Sequence, residues 1–217
     1  MKFLENKYEK RRLFMTVAGV LCCSFAIGVF KRSLFGLDPF QCLSQGVFIP
    51  FSKYLPFSIY YIIWSGILLV IDFFLDRKQI GAATFVHMFL TGYIVDFSCS
   101  LIDRFLPDPA LGIRIIMLIV AVVITCFGAS LYFISAQGVS VYDAISLALA
   151  AKKVKLAGRV IPFKYLRVTT DVICVLGGCI FGLYPGIGTL ITAFFMGPLI
   201  DFFERTVAIP FLDAARE

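Results

Sequence analysis

The sequence is poor in charge and lacks the spacings that mark common enzyme and metal sites. Only 16% of its 217 residues are charged, and it has a single histidine. The seven cysteines, at positions 22, 23, 42, 99, 126, 174 and 179, form no Cys-x-x-Cys or Cys/His pattern, so they indicate neither a zinc site nor a disulfide framework. No phosphate-binding loop, Ser/His pair or Gly-x-Gly-Asp run is present. We therefore expect no enzyme, no cofactor and no metal site.

Long apolar segments take the place of those motifs. Hydrophobic residues make up 60% of the sequence, and its mean hydropathy is +0.92. Such values lie outside the range of soluble globular domains, so they predict an integral membrane protein. The net charge of +6 comes from short basic clusters between apolar segments. Clusters of this kind orient a protein in a bilayer, so we do not expect nucleic-acid binding.

Six apolar segments are long enough to cross a bilayer as helices. They are predicted at about 13–30, 57–75, 79–102, 113–135, 165–184 and 187–207. Two shorter apolar segments, 33–56 and 137–150, are flanked or interrupted by prolines, glycines and polar residues, so each is predicted to be re-entrant or interfacial. The sequence thus predicts an all-α fold, a single membrane domain over 1–217 that forms a six-helix bundle.

The basic residues predict which side of the membrane each segment faces. With the N-terminus inside, 15 Lys and Arg residues lie on the cytoplasmic side and 5 on the outer side. Cytoplasmic loops carry the excess of basic residues in membrane proteins. Both termini and the loop 152–164 are therefore predicted to be cytoplasmic, in a multi-pass protein of the cell membrane, and segment 31–53 is predicted to face out.

Short motifs recur in the same order in the two halves of the chain. The paired segments are 33–44 with 135–146, 80–81 with 187–188, and 92–97 with 197–202. The first pair aligns without gaps at an offset of 102. A duplicated unit of three spans enters the membrane from opposite sides in its two copies. The sequence therefore predicts two inverted three-helix repeats, 13–102 and 113–207.

Several motifs resemble those of a group of bacterial membrane proteins. They are Gly36-x-x-Pro39-Phe40, Gly138-Val-Ser-Val-Tyr142-Asp143, Arg167-x-x-x-Asp171, and Gly186-Ile-Gly188-Thr189 through Gly197-Pro198. Over about 15–205, the chain resembles the YczE/YitT/YyaS group of multi-pass proteins. The first motif departs from that group, with Gln41 where an acid is expected. Because the group is largely uncharacterised, the resemblance implies a fold and a location but no substrate.

The two interrupted segments supply a candidate substrate site. In inverted-repeat transporters, broken helices bring polar groups and helix ends to the junction between the halves. The predicted lining residues are Asp38, Gln41, Tyr142, Asp143, Gly186, Gly188 and Gly197. Asp143 is expected to be a lone carboxylate with a raised pKa, able to exchange a proton. The alternative is that both segments are surface helices and that Asp143 caps the second one.

Four other titratable residues are candidates for proton or ion coupling, because ionisable groups inside apolar spans are costly. They are His87, Asp96, Asp171 and Asp201. Each has a structural alternative, namely a packed histidine for His87, positions at the headgroups for Asp96 and Asp201, and an ion pair with Arg167 for Asp171. Gly188 and Gly197 are in addition expected to allow close helix packing.

Together these features predict a small-molecule transporter or permease that works by alternating access. One alternative is a substrate-binding membrane subunit of a vitamin-type importer, which has no internal repeat. Another is an accessory or regulatory membrane protein, whose interior would be dry and fully packed. The expected partners are the lipid bilayer and an unknown small molecule, and a homodimer is compatible with the sequence. Substrate, coupling ion and direction of transport have no signal in the residues.

Overall fold

The apolar segments of the sequence form helices throughout the computed structural model, which describes residues 2–152, 155–156, 159–160 and 163–214. The helices are α1 (Lys2–Ser33), α2 (Pro39–Phe48), α3 (Phe57–Leu75), α4 (Ala82–Phe105), α5 (Leu111–Ser135), α6 (Val141–Ala151), α7 (Phe163–Ile180), α8 (Ile187–Phe203) and α9 (Ile209–Asp213). A π-helical turn, Glu204–Ala208, joins the last two, and a short 3-10 turn, Arg77–Gln79, precedes α4. Two two-residue strands, β1 (Lys155–Leu156) and β2 (Arg159–Val160), pair in antiparallel fashion between α6 and α7. The fold is therefore all-helical apart from this small hairpin.

Five of the described helical segments are long and apolar enough to cross a membrane. They are Tyr8–Ser33, Phe57–Leu75, Ala82–Phe105, Leu111–Ser135 and Ile187–Asp213. Their outer faces carry large apolar side chains such as Phe74, Ile116 and Phe194, which are 78%, 61% and 71% exposed. Such surfaces suit hydrocarbon and indicate a multi-pass membrane protein. The predicted span 165–184 forms a helix, α7, that is outside this group of five.

Helices α1 and α5 pack against each other at the centre of the fold. A Cβ on Gly19 would lie 2.6 Å from the Gly128 carbonyl oxygen, and a Cβ on Gly128 would lie 2.7 Å from that of Gly19. Helix α4 approaches α1 as closely, because a Cβ on Gly28 would lie 1.8 Å from the Ser98 hydroxyl oxygen. Small residues at such contacts let helices associate where water supplies no driving force.

The two short helices α2 and α6 lie inside the fold. Helix α2 packs against α7, where a Cβ on Gly178 would lie 2.8 Å from the Cys42 carbonyl oxygen. Helix α6 packs against α3 and α7. The polar side chains of Gln41 and Ser146, one in each short helix, are 2% and 0% exposed. Neither segment is therefore a surface helix, which removes one alternative from the sequence analysis.

The links that precede α2 and α6 have matching conformations. Helices α1 and α5 end at Ser33 and Ser135, and each serine hydroxyl donates to the carbonyl oxygen three residues earlier at 2.7 Å. Residues with positive φ follow at equivalent positions, namely Leu34 and Ala136 (φ 60° and 51°) and then Gly36 and Gly138 (φ 108° and 92°). All three pairs are 102 residues apart, which is the offset of the sequence match.

The link before α2 packs against the start of α8, in the other half of the chain. The Gly188 amide donates to the Phe35 carbonyl oxygen at 2.7 Å. A Cβ on Gly186 would lie 2.0 Å from that same oxygen, so only glycine fits there. The Thr189 hydroxyl accepts from the Gly186 amide at 3.3 Å and completes the cap of α8.

The link before α6 packs in the same way against the start of α4. The Ala83 amide donates to the Gln137 carbonyl oxygen at 2.9 Å, and a Cβ on Gly81 would lie 2.2 Å from that oxygen. The Thr84 hydroxyl accepts from the Gly81 amide at 3.2 Å. The link before α6 thus contacts the first turn of α4, and the link before α2 contacts the first turn of α8. In both cases the link and the long helix come from different halves of the chain.

Candidate functional site

Asp143, in the first turn of α6, accepts hydrogen bonds from three side chains. The Tyr132 hydroxyl donates at 2.5 Å, the Ser140 hydroxyl donates at 2.7 Å, and the Arg167 guanidinium forms an ion pair with the carboxylate. The Ser140 hydroxyl also accepts from the Asp143 amide at 3.2 Å and so caps the start of α6. The Asp143 carboxylate holds this capping hydroxyl and belongs to a buried acid, 5% exposed.

The pKa of Asp143 lies below its ordinary value. Burial alone would raise it, but the charge of Arg167 and the hydrogen bonds from Tyr132 and Ser140 stabilise the carboxylate and outweigh burial. The expectation of a lone acid with a raised pKa is wrong, because Asp143 is paired with Arg167. Arg167 lies 24 residues later in the sequence, so no local pattern connects the two residues. Asp143 is an ionised partner of Arg167, and it is not a proton carrier near neutral pH.

Arg167 joins Asp143 to a second acid. Its Nε lies 3.6 Å from Asp171 Oδ1, one helical turn later in α7, as the sequence spacing predicted. The Tyr142 hydroxyl donates to the same carboxylate, and the guanidinium carbon of Arg167 lies 4.5 Å from the centre of the Tyr142 ring. The Tyr142 ring stacks on Phe40 of α2, with centroids 4.7 Å apart. Helices α2, α6 and α7 meet at these residues.

Asp38, in the link before α2, stands at the edge of this group. Its Oδ1 accepts from the Gln41 amide at 3.1 Å and caps α2. Burial raises the pKa of Asp38 to about 6, and the charges of Asp171 and Asp143 add to the rise, against the Gln41 hydrogen bond and the charge of Arg167. We call Asp38, Asp143, Asp171 and Arg167 the charge cluster. It holds three acids and one base, and Asp38 is the member whose charge changes near pH 6.

A cavity of about 190 Å³ lies between α7 and α8. Its walls are mostly apolar side chains of the two helices, such as Val172 and Phe194. Pro39 and Asp171 also line it, so the cavity reaches the charge cluster. Val172 and Phe194 are 51% and 71% exposed on the surface that suits hydrocarbon. The cavity can therefore hold a small apolar group next to the carboxyl group of Asp171.

Helices α3 and α4, which carry the segment that the sequence match pairs with 197–202, leave no such space between them. Helices α3 and α4 pack directly, since a Cβ on Gly92 would lie 2.6 Å from Ser58 Cα, and Asp96 Oδ2 accepts from the Ser58 amide at 3.0 Å. In the second half, no atom lies within 4 Å of a Cβ on Gly197, the counterpart of Gly92, and the side chain of Asp201 is 55% exposed. The prediction that Gly197 is a packing position is wrong for this structure, because no neighbouring atom approaches that face of α8.

The predicted coupling residues outside the cluster have structural partners. The Nδ1 of His87 lies 3.3 Å from the Thr91 hydroxyl oxygen, and its ring meets Tyr132 edge-on with centroids 5.0 Å apart. Asp96 caps the start of α3 through the Ser58 amide. Asp201 forms an exposed ion pair with Arg205 at 3.0 Å. The contact of His87 with Thr91 agrees with its structural alternative, a packed histidine, and His87 also touches the tyrosine that bonds to Asp143.

The predicted lining residues divide into three places. Asp38, Tyr142 and Asp143 come together at the charge cluster, and Gln41 is buried in the first turn of α2 beside it. Gly186 and Gly188 lie at the start of α8 against the link before α2, and Gly197 lies apart from both groups.

Sequence reasoning missed the central place of Arg167 and the contribution of Tyr132. Arg167 was read only as a partner of Asp171 at the membrane boundary. The spacing Ser140-x-x-Asp143 is typical of a helix start, and this signal could have linked Ser140 to Asp143. Tyr132 had no such signal, because a tyrosine near the end of an apolar span is common.

A sequence model described as a family of unknown function (DUF6198) matches residues 10–205. The matched range includes both links, the charge cluster and the cavity. The match names no YczE/YitT/YyaS protein. No curated protein and no solved structure matches the chain.

Proposed function

The chain belongs to DUF6198, a family of unknown function, and we propose that it is a small-molecule permease that works by alternating access. The observation that carries the proposal is the difference between two equivalent helix pairs. Helices α3 and α4 are in direct contact, whereas α7 and α8 are separated by a cavity that reaches the charge cluster. Inverted-repeat transporters change access when their two units exchange conformations around a fixed site. In the other state, α7 would close on α8 while α3 parts from α4.

We assign the two repeats to 13–102 and 113–207, with α7 as the sixth span and α2 and α6 as re-entrant helices. The matching φ angles of the two links, 102 residues apart, support this assignment. The reciprocal contacts of each link with the other half support it as well. Because each repeat contains three spans, the second enters the bilayer from the opposite side.

The orientation is tested by labelling with a membrane-impermeant maleimide. In a variant without native cysteines, Lys53→Cys, which lies in an exposed turn, is expected to react in intact cells. Lys155→Cys is expected to react only after the cells are permeabilised, because the 15-to-5 distribution of basic residues places it inside. The reverse labelling pattern would contradict the orientation, and equal labelling of both positions from outside would contradict the inverted repeat.

The charge cluster and the cavity define the substrate class in this proposal. Three acids share one arginine, so the cluster favours a cation or a group that donates hydrogen bonds. The apolar walls of the cavity favour a compact apolar body. The site would be lined by the charge cluster, Gln41 and Tyr142. Gly197 would join the site only in the state in which α7 meets α8, and Gly186 and Gly188 would fix the position of α8.

The test is a thermal-shift screen of small cationic and neutral molecules in detergent, followed by uptake into liposomes that contain only this protein. Asp38→Asn removes a charge but keeps the helix cap, since asparagine caps as well as aspartate. We expect Asp38→Asn to fold normally and to lower uptake of a cationic substrate about tenfold, because hydrogen bonds to charged groups contribute more than neutral ones. Asp201→Asn, at an exposed ion pair, is the matched control and should transport like the parent.

The same experiment separates the alternatives. Uptake by the chain alone would oppose an importer subunit, which depends on a partner ATPase. Equal uptake by Asp38→Asn, Asp201→Asn and the parent would remove Asp38 from the site. If no molecule stabilises the protein and none is taken up, an accessory membrane protein becomes the better explanation. The proposal includes no catalytic residue, cofactor, metal or nucleic acid.

A further inference from the structure

Asp72 is a buried acid that the proposed substrate site does not use. It lies in α3 and is 1% exposed, whereas its neighbours Phe73 and Phe74 are 45% and 78% exposed on the outer face. Neither carboxylate oxygen has a hydrogen-bond partner within the described part of the chain. Buried polar groups are nearly always paired, so an acid with two unpaired oxygens needs a physical explanation.

Three features of its position oppose a negative charge at Asp72. A carboxylate without donors in an apolar interior is among the costliest groups to bury. Asp72 also lies in the last turn of α3, which ends at Leu75. The unpaired carbonyl groups there give the helix end a partial negative charge, which disfavours a second one. Finally, Asp143 is close enough to interact electrostatically with Asp72, and the negative charge of Asp143 disfavours a second one there.

Among the residues that the structure describes, the elements that pack against α3 supply no cation to Asp72. Helix α3 contacts α2, α4, α6 and the turn Arg77–Gln79. Helix α2 has no charged residue after its cap, Asp38. In the turn, the Arg77 guanidinium lies over the Phe73 ring, 3.9 Å from its centre, and Lys78 is exposed.

The charged groups of α4 and α6 have other partners or lie elsewhere. His87 of α4 contacts Thr91, and Asp96 caps the opposite end of α3. Asp103 and Arg104 are exposed in the last turn of α4, beyond Asp96. Asp143 of α6 is bound by Arg167. With no cation and no donor at Asp72 among the described residues, the neutral acid is the form of Asp72 that the surroundings favour.

We propose that Asp72 is a proton-binding site, neutral in this conformation, which releases its proton to water when α3 separates from its neighbours. The step is the dissociation of a carboxylic acid to a carboxylate and a proton, and it needs no other reactant. Its use in transport rests on the proposed function, since the exchange of α3 and α7 between open and closed states would expose Asp72 once in each cycle. Proton binding itself rests only on the geometry of α3.

Infrared spectroscopy tests proton binding without a substrate. The protein is measured in maltoside detergent, which has no carbonyl group, at pH 6. Asp38→Asn serves as the parent for this test, because Asp38 has a pKa of about 6 and would add a band of its own. We expect the carbonyl-stretch band of a protonated carboxylic acid in the parent, which shifts in heavy water. The band should be absent in Asp72→Asn and retained in Asp103→Asn, the control, whose exposed carboxylate pairs with Arg32. No band in the parent, or a band that Asp72→Asn leaves in place, overturns the proposal.

Two further measurements keep the test decisive. If Asp72→Asn does not fold, Asp72→Leu is expected to fold and to melt above the parent at pH 8, because an apolar side chain of similar size removes the buried polar group. A lower melting temperature for Asp72→Leu than for the parent would count against a neutral acid. If sodium or potassium raises the melting temperature of the parent but not of Asp72→Asn, the site binds a metal cation and the proton assignment is wrong. A failed uptake experiment would leave the infrared result unchanged, so the two proposals fail separately.

Discussion

Replacing Arg167 with glutamine is expected to destabilise the folded protein by about 3–5 kcal/mol, the range found when one partner of a buried ion pair is removed. The variant would leave two acids without their cation, Asp143 and Asp171, whose side chains are 7% and 11% exposed. The measurement is the melting temperature in detergent, together with the yield of monodisperse protein.

The matched control for this prediction is Arg205→Gln. Arg205 and Asp201 form an ion pair between the same residue types, but their side chains are 73% and 55% exposed. Exposed pairs contribute about 1 kcal/mol or less, so this variant should melt near the parent. Adding Asp143→Asn to Arg167→Gln should restore part of the lost stability, because it removes an unpaired buried charge. Equal melting temperatures for Arg167→Gln and Arg205→Gln would contradict the buried cluster.

Alanine at Gly186 or Gly81 is expected to prevent normal folding. The added Cβ would lie 2.0 Å from the Phe35 carbonyl oxygen in the first case and 2.2 Å from that of Gln137 in the second. These neighbours are backbone atoms, so neither can move aside as a flexible side chain could. Overpacking typically costs about 1–3 kcal/mol and more where the backbone must shift, so we expect about 3 kcal/mol or more for each variant. Folded yield and melting temperature are the measurements.

Gly197→Ala is the control for both glycine variants. It adds the same methyl group to a helical glycine, but no atom lies within 4 Å of the new Cβ. It should therefore melt at or slightly above the parent, because alanine favours the helix more than glycine does. If Gly186→Ala and Gly81→Ala behave like Gly197→Ala, the links do not pack against α8 and α4 in the way described.

Much of the architecture followed from patterns that a single sequence carries. Apolar segments of sufficient length gave the long helices, because hydrocarbon allows only a chain whose backbone groups are bonded internally. The recurrence of segment 33–44 at 135–146 correctly located two links with matching φ angles. Polar interruptions correctly separated α2 and α6 from the long helices. The sequence does not decide whether these short helices are buried, because buried helices and surface helices can have the same composition.

The contacts at the site depended on geometry that local patterns do not contain. Arg167 reaches Asp143 because α6 and α7 pack against each other, and this contact joins side chains that lie 24 residues apart in the sequence. Gly197 and Gly92 occupy equivalent positions, yet only one of them is packed. A sequence match between the halves predicts similar local structure, but it does not predict how closely the helices of each half pack. Asp72 lies in an apolar segment, and the composition of such a segment does not show which face of the helix is buried.

The exchange of links between the halves also affects how the chain is made. The Ala83 amide in the first turn of α4 donates to the Gln137 carbonyl oxygen, and the ribosome adds Gln137 more than fifty residues after Ala83. The Phe35 carbonyl oxygen accepts from the Gly188 amide, so the interval between the synthesis of these two partners is longer still. During synthesis, the first half therefore enters the membrane before its contacts with the second half, at Gly81 and at Phe35, can form. Such a chain completes its tertiary structure only near the end of translation, and until then it depends on the insertion machinery and the lipid to shield those contacts.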